Sequence, residues 1–312
     1  MLTRIAGNCF WMARYLERAE NNARLLRMAE RHACLPETAE DPVGLWSTAL
    51  EVGGTLDDYH ERVGAITPEA VTRFMVLDRN NSSSVVSCLR SARDNARTAR
   101  HLLPDVLWDT MNGTWIEAQA LDEARVDHLA TEGVVSWTLA RCRMIDGCFG
   151  ELWRDTVPHV IDLGRSIERA DFIARILAEM LPKLLADGHG PTTIGSPACR
   201  RWMSLLEGLG LQESWRRVNA GVLDPLTVLH LILLHPTAPH GMLVNVQAMA
   251  AAIAGFAPGR EGDALKTARQ IEARLIGTDL SVVAGPGMDG FCRQLTALTN
   301  QLGAEVQRDH FE

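Results

Sequence analysis

The chain has 312 residues, of which 46% are hydrophobic and 22% charged, with a formal net charge of −8. That length can bury a substantial core as one large domain or two fused units. The acidic balance argues against a general nucleic-acid binder, and no run approaches the ~20 apolar residues of a membrane span.

The N-terminal residues lack a signal-peptide pattern, because Glu17 and Glu20 follow directly. The seven cysteines are scattered and contain no Cys-x-x-Cys, so reduced thiols in a cytoplasmic protein are expected. Periodicity predicts a first helix over Thr3–Ala33, ending before a loop from Pro36 to Pro42. A short helix carrying Trp46 and Leu50 should stop at Gly53-Gly54. Thr67-Pro68 is a cap followed by proline and opens a helix over residues 69–77. The polar run Asp78–Ser84 then precedes a helix from Val85 to Arg100, closed by Pro104. Residues 105–155 and 262–312 also read as helical, and nothing alternates at period two.

The first helix contains Arg14-Tyr-Leu-Glu17-Arg18-Ala-Glu20-Asn-Asn-Ala-Arg24-Leu-Leu26. It returns as Arg165-Ser-Ile-Glu168-Arg169-Ala-Asp171-Phe-Ile-Ala-Arg175-Ile-Leu177, with seven of thirteen positions identical at an offset of 151. Asp224-Pro225 likewise repeats Thr67-Pro68 at an offset of 157, with the inserted residues placed in Gly188–Gly195. Internal repetition dictates architecture. The expectation is an all-α, tandem-duplicated helical bundle with halves related by a pseudo-twofold axis. Residues 1–155 form the polar first repeat and 156–312 a degenerate structural one, packed as one body.

Helical spacing pairs Arg14 with Glu17, Glu20 with Arg24, Arg165 with Glu168 and Asp171 with Arg175. These pairs form either a solvated ladder or a shared internal polar site at which buried charges must be matched. The copies are unequal further on. Asp78, Arg79, Asn80, Ser83, Arg90, Arg93, Asn95 and Arg97 enrich the first, whereas residues 235–256 are nearly uncharged. Arg90, Arg93 and Arg97 share one face, which serves as a solvated surface, a pocket for a carboxylate or phosphate, or a docking surface. The Asp78–Ser84 turn brings N–H groups to a helix start, where the macrodipole favours an anion.

These motifs together resemble the Alpha-E family, bacterial all-helical proteins with repeated Glu-Arg motifs. The resemblance rests on Tyr-Leu-Glu17-Arg18-Ala-Glu20-Asn, Leu-Asp78-Arg79-Asn80-Asn81-x-Ser83-Ser84, Cys88-Leu-Arg90-x-Ala-Arg93-x-Asn95-Ala-Arg97 and Leu-Gly-Arg165-x-Ile-Glu168-Arg169-Ala-Asp171. It departs at Ser82, where the family usually has proline, and at Pro158-His159-Val160, where the family has an aromatic-rich run. The resemblance implies a partner, a circularly permuted ATP-grasp ligase, sometimes with a transglutaminase-like peptidase, and work on peptide amide bonds. The residues themselves present no nucleophile elbow or phosphate-cradling loop, and no metal or cofactor is expected. Arginine beside each acid pair disfavours a dimetal centre, which would use Glu-x-x-His.

The expected binding residues are Glu17, Arg18, Glu20, Arg24, Asp78, Arg79, Asn80, Ser83, Arg90, Arg93, Asn95, Arg97, Glu168, Arg169 and Asp171. An accessory protein binding a partner and a carboxylate-bearing peptide substrate is the first reading. An amide-bond enzyme using the Glu/Arg/Asn cluster and a pure scaffold are the alternatives.

Overall fold

The first helix, α1 (Thr3–Ala33), runs for 31 residues and ends where the apolar periodicity does. The computed structural model describes residues 3–33, 43–186, 190–219, 221–259, 262–285 and 287–311. The loop expected at Pro36–Pro42 lies outside them, as does part of Gly188–Gly195. The chain separates into two compact units, Met1–Arg165 with Phe311, and Ser166–His310. The division falls inside a single helix, α8 (Thr156–Leu185).

In the first unit α1 is buried on nearly every side, including Phe10, Met12, Leu16, Leu25, Leu26 and Met28. A helix buried over most of its circumference belongs at the centre of a bundle, here with its charges paired inside. Around it pack α2 (Gly44–Gly53), α5 (Val85–Ala99) and α7 (Glu123–Cys148). The remaining helices are α3 (Leu56–Arg62), α4 (Pro68–Val76) against α7, and α6 (Asp105–Gln119) against α5 and α7. Small residues Ala92, Ala96 and Ala99 line the buried face of α5.

Local signals act as the sequence requires. Gly54 ends α2 with φ of 67°, a left-handed conformation that suits glycine. The Thr67 side chain accepts from the Ala70 N–H ahead of Pro68, and Ser84 accepts from Ser87 N–H at the start of α5.

In the second unit, which holds the rest of α8, follow α9 (Pro197–Gly208), α10 (Gln212–Val218), α11 (Pro225–Leu233), α12 (Met242–Phe256), α13 (Asp263–Ile276), α14 (Leu280–Val283) and α15 (Met288–His310). Here α13 packs against both α12 and α15, and Asp224 caps α11 through Thr227 N–H. The helices α4 and α11 have nine residues each, and α5 and α12 fifteen each. Among the described residues there is no strand; Thr192 and Leu223 form an isolated bridge. Among the described residues no helix is long and apolar enough to cross a membrane.

One break interrupts α7. Ala130 takes φ 53°, ψ 175°, a region that only glycine occupies without strain. The turn before the break is tied to α4 by Arg73, which donates to Asp127 at 2.9 and 2.5 Å, and the residue after it by Thr131–Thr72 at 2.9 Å. Ala130→Gly is therefore expected to raise stability by about 1 kcal/mol. Urea denaturation checks this, and a lower midpoint would count against a strained alanine.

Candidate functional site

The repeated motif builds an internal charge cluster. A bare helical surface would leave Glu17 in water, but α5 and α7 enclose α1, and Glu17 is 3% exposed. Its carboxylate accepts from Arg165 Nε at 3.3 Å. Arg165 also pairs with Asp146 near the end of α7 and lies over the Phe149 ring at 5.4 Å. Sequence spacing assigns Arg165 to Glu168; the structure instead turns it onto α1 and α7. The cause is Gly164, which lets the start of α8 approach α1 so closely that a Cβ there would stand 2.5 Å from the Phe10 carbonyl oxygen.

Glu20 accepts from Arg24 at 2.6 Å, and Asp171 from Arg175 at 2.9 Å, as the i,i+4 spacing requires. Arg14 lies over the Trp11 ring at 4.9 Å, and Arg18 over Tyr15 at 5.7 Å. Both glutamates of the Glu-Arg dipeptides are buried, and Arg18 and Arg169 are half-buried. The solvated-ladder alternative does not describe these positions.

Ala13, Leu16, Glu17, Glu20, Cys142, Asp146, Phe149 and Arg165 enclose a cavity with room for about one water molecule. Burial, reinforced by Glu20 and Glu17, pushes the Cys142 thiol well above its usual range, so it stays protonated. Cys9 is pushed up to about 12, chiefly by burial and then by Asp155. Neither thiol is available as a thiolate nucleophile. Among the described residues no group of three or more His, Cys, Asp or Glu side chains is placed to hold a metal ion.

The Asp78–Ser84 turn is tied to α1 by Asn22, whose Nδ2 donates to the Ser83 carbonyl at 2.5 Å. Three of its N–H groups are occupied within the turn. Asp78 accepts from Asn80 N–H at 2.8 Å, Asn81 Oδ1 from Ser83 N–H at 2.9 Å, and the Asn81 carbonyl from Ser84 N–H at 3.0 Å. Asp78 also holds Arg62 at 2.5 Å. Three of the donors expected to meet a bound anion are thus committed to the turn's own hydrogen bonds, because short polar side chains here cap neighbouring backbone.

Other expected residues face solvent. Arg79, Asn80, Arg90 and Arg97 are exposed, while Asn95 Nδ2 donates to the Ser91 carbonyl at 2.8 Å. Arg93 is half-buried, donating to Asn112 Oδ1 at 3.2 and 3.1 Å and pairing with Asp94 at 3.1 Å. The expected residues therefore form two groups, an internal cluster on α1 and a surface row on α5. Arg165, which helical spacing gives to Glu168, takes part with different partners, and Asp146, Asn112 and Trp108 take part without being among the residues that the sequence singles out. Gly164 immediately before Arg165 is the one local signal that points to the close approach of α8 and α1.

Fold and site define an all-helical protein whose Glu-Arg dipeptides, on α1 and α8, both place their glutamates in the interior. The chain belongs to the Alpha-E family, described as a predicted alpha-helical domain with a conserved ER motif, with the match running over residues 1–311. It is 25% identical over 289 residues to an uncharacterized protein of Mycobacterium bovis and, equally, to one of Mycobacterium tuberculosis. Each match covers 83% of this chain and 30% of the relative, so the chain spans less than a third of the length of the curated relatives it matches. No solved structure matches the chain.

Proposed function

We propose that this chain is a non-catalytic accessory module that acts in the cytoplasm with an ATP-grasp amide ligase, binding the ligase and a carboxylate-bearing peptide. The observation that carries this reading is the internal pairing of the motif charges. Arg165 holds both Glu17 and Asp146, while Glu20 holds Arg24, so these residues build the bundle and present no free acid–base group. The relatives, with the matched region occupying 30% of their length, support a part that works beside further polypeptide.

The same reading makes the chain a tandem duplication related by a pseudo-twofold axis, with the second copy as a brace. Equal helix lengths for α4 and α11 and for α5 and α12 support it, as do the matching cap-plus-proline starts of α4 and α11.

The test is reconstitution. The purified protein should show no ATP- and peptide-dependent turnover by itself, and should co-purify with the ligase encoded beside it. Turnover by the protein alone would establish the enzyme reading instead.

A further inference from the structure

Beside its buried alanines α5 carries Arg90, Arg93 and Arg97, and the turn that follows adds Arg100. Spacings of three and four residues place all four on one side of a helix, over a length of about 15 Å. Arg90, Arg97 and Arg100 are exposed. Among the described residues Arg90 and Arg100 pair with no carboxylate, and Arg97 comes only within 4.0 Å of Asp94, which Arg93 already holds. Four guanidinium groups thus share one acid, on a chain whose formal net charge is −8.

Two members of the row, Arg93 and Arg100, are also held in place. The Trp108 ring of α6 has Arg93 at 5.4 Å and Arg100 at 5.1 Å from its centroid. Asn112 fixes Arg93 from the same helix. Fixing the side chains beforehand lowers the entropy lost when a partner binds. A helix of the same length forms without the row. At the same positions counted from the first residue, the fifteen-residue α12 and the residue after it have Gln247, Ala250, Ala254 and Ala257.

We infer that this face docks an acidic peptide segment of a partner protein, its carboxylates spaced along one side of a helix. Like charges three and four residues apart repel, and an acidic segment would relieve that repulsion while forming charge-assisted hydrogen bonds. A nucleic acid fits less well, because Asp94 interrupts the row and the overall charge repels a long polyanion. This inference rests on the accessory reading and deepens it by naming the chemistry of the partner.

The experiment measures fluorescence anisotropy with the full chain and a fluorescein-labelled, alanine-based helical peptide bearing glutamates at i, i+3, i+7 and i+10. Its glutamine counterpart and single-stranded oligo-dT are the comparisons. The glutamate peptide should bind, with affinity falling as salt rises, and the glutamine peptide should bind at least about tenfold more weakly. Arg90→Glu/Arg97→Glu should lose at least about tenfold in affinity with its melting temperature unchanged, since both side chains are exposed. Should that variant unfold, Arg90→Gln/Arg97→Gln removes charge without adding repulsion and must show the loss. No binding of the glutamate peptide, equal binding of the glutamine peptide, tighter binding of oligo-dT, or full affinity in the variants would overturn the inference. Ligase co-purification without peptide binding sinks the docking face alone; peptide binding without co-purification sinks the ligase reading alone.

Discussion

Gly164→Ala is expected to lower stability by about 3 kcal/mol, the upper end of what overpacking costs. The new methyl group would stand 2.5 Å from the Phe10 carbonyl oxygen and 3.3 Å from the Ala13 Cβ. The nearest obstacle is backbone, so no rotamer change can relieve it. The start of α8 must shift away from α1, which carries the adjacent Arg165 away from Glu17 and adds to the loss. Urea denaturation monitored by circular dichroism measures it. A loss under about 0.5 kcal/mol, the range of ordinary surface changes, would show that the two helices are not in close contact.

Glu17→Ala should cost about 2–3 kcal/mol, less than the roughly 3–5 kcal/mol typical of breaking a buried ion pair and stranding its remaining charge. The effect falls below that range because Arg165 keeps Asp146, whose side chain is half exposed. Glu17→Gln, which preserves shape and an acceptor oxygen, should lose less. A double-mutant cycle with Arg165→Ala isolates the pair, and additive single losses would mean that the two side chains are not coupled.

Much of the fold is legible in the sequence because its signals are local. The bounds Thr3–Ala33 follow from unbroken periodicity, and Thr67-Pro68 and Asp224-Pro225 declare two helix starts a residue ahead of the helices themselves. The pairs Glu20–Arg24 and Asp171–Arg175 are legible for the same reason, being one helical turn apart. The partner of Arg165 is not. Spacing favours Glu168, but the approach of α8 to α1 brings Glu17 and Asp146 to it, and nothing in a linear reading ranks a distant acid above a near one. The Asp78–Ser84 turn misleads in the opposite direction. Its polar residues imply donors for a ligand, yet Asp78 and Asn81 satisfy their own neighbours two residues on. The row on α5 is visible as charge, but its anchoring by Trp108 and Asn112 depends on α6 folding back beside it.

The ring of Phe311 lies 5.0 Å from that of Phe10 and against Gly7, inside a unit that otherwise ends at Arg165. Such a contact closes a loop that contains the whole sequence of the second unit. Local helix contacts form fastest and contacts of the longest sequence separation last. During synthesis the first unit can acquire most of its helices early, but this aromatic contact must wait until residue 311 has been made. Phe311→Ala should accordingly speed unfolding while leaving the refolding rate of the first unit nearly unchanged, the signature of an interaction made after the transition state.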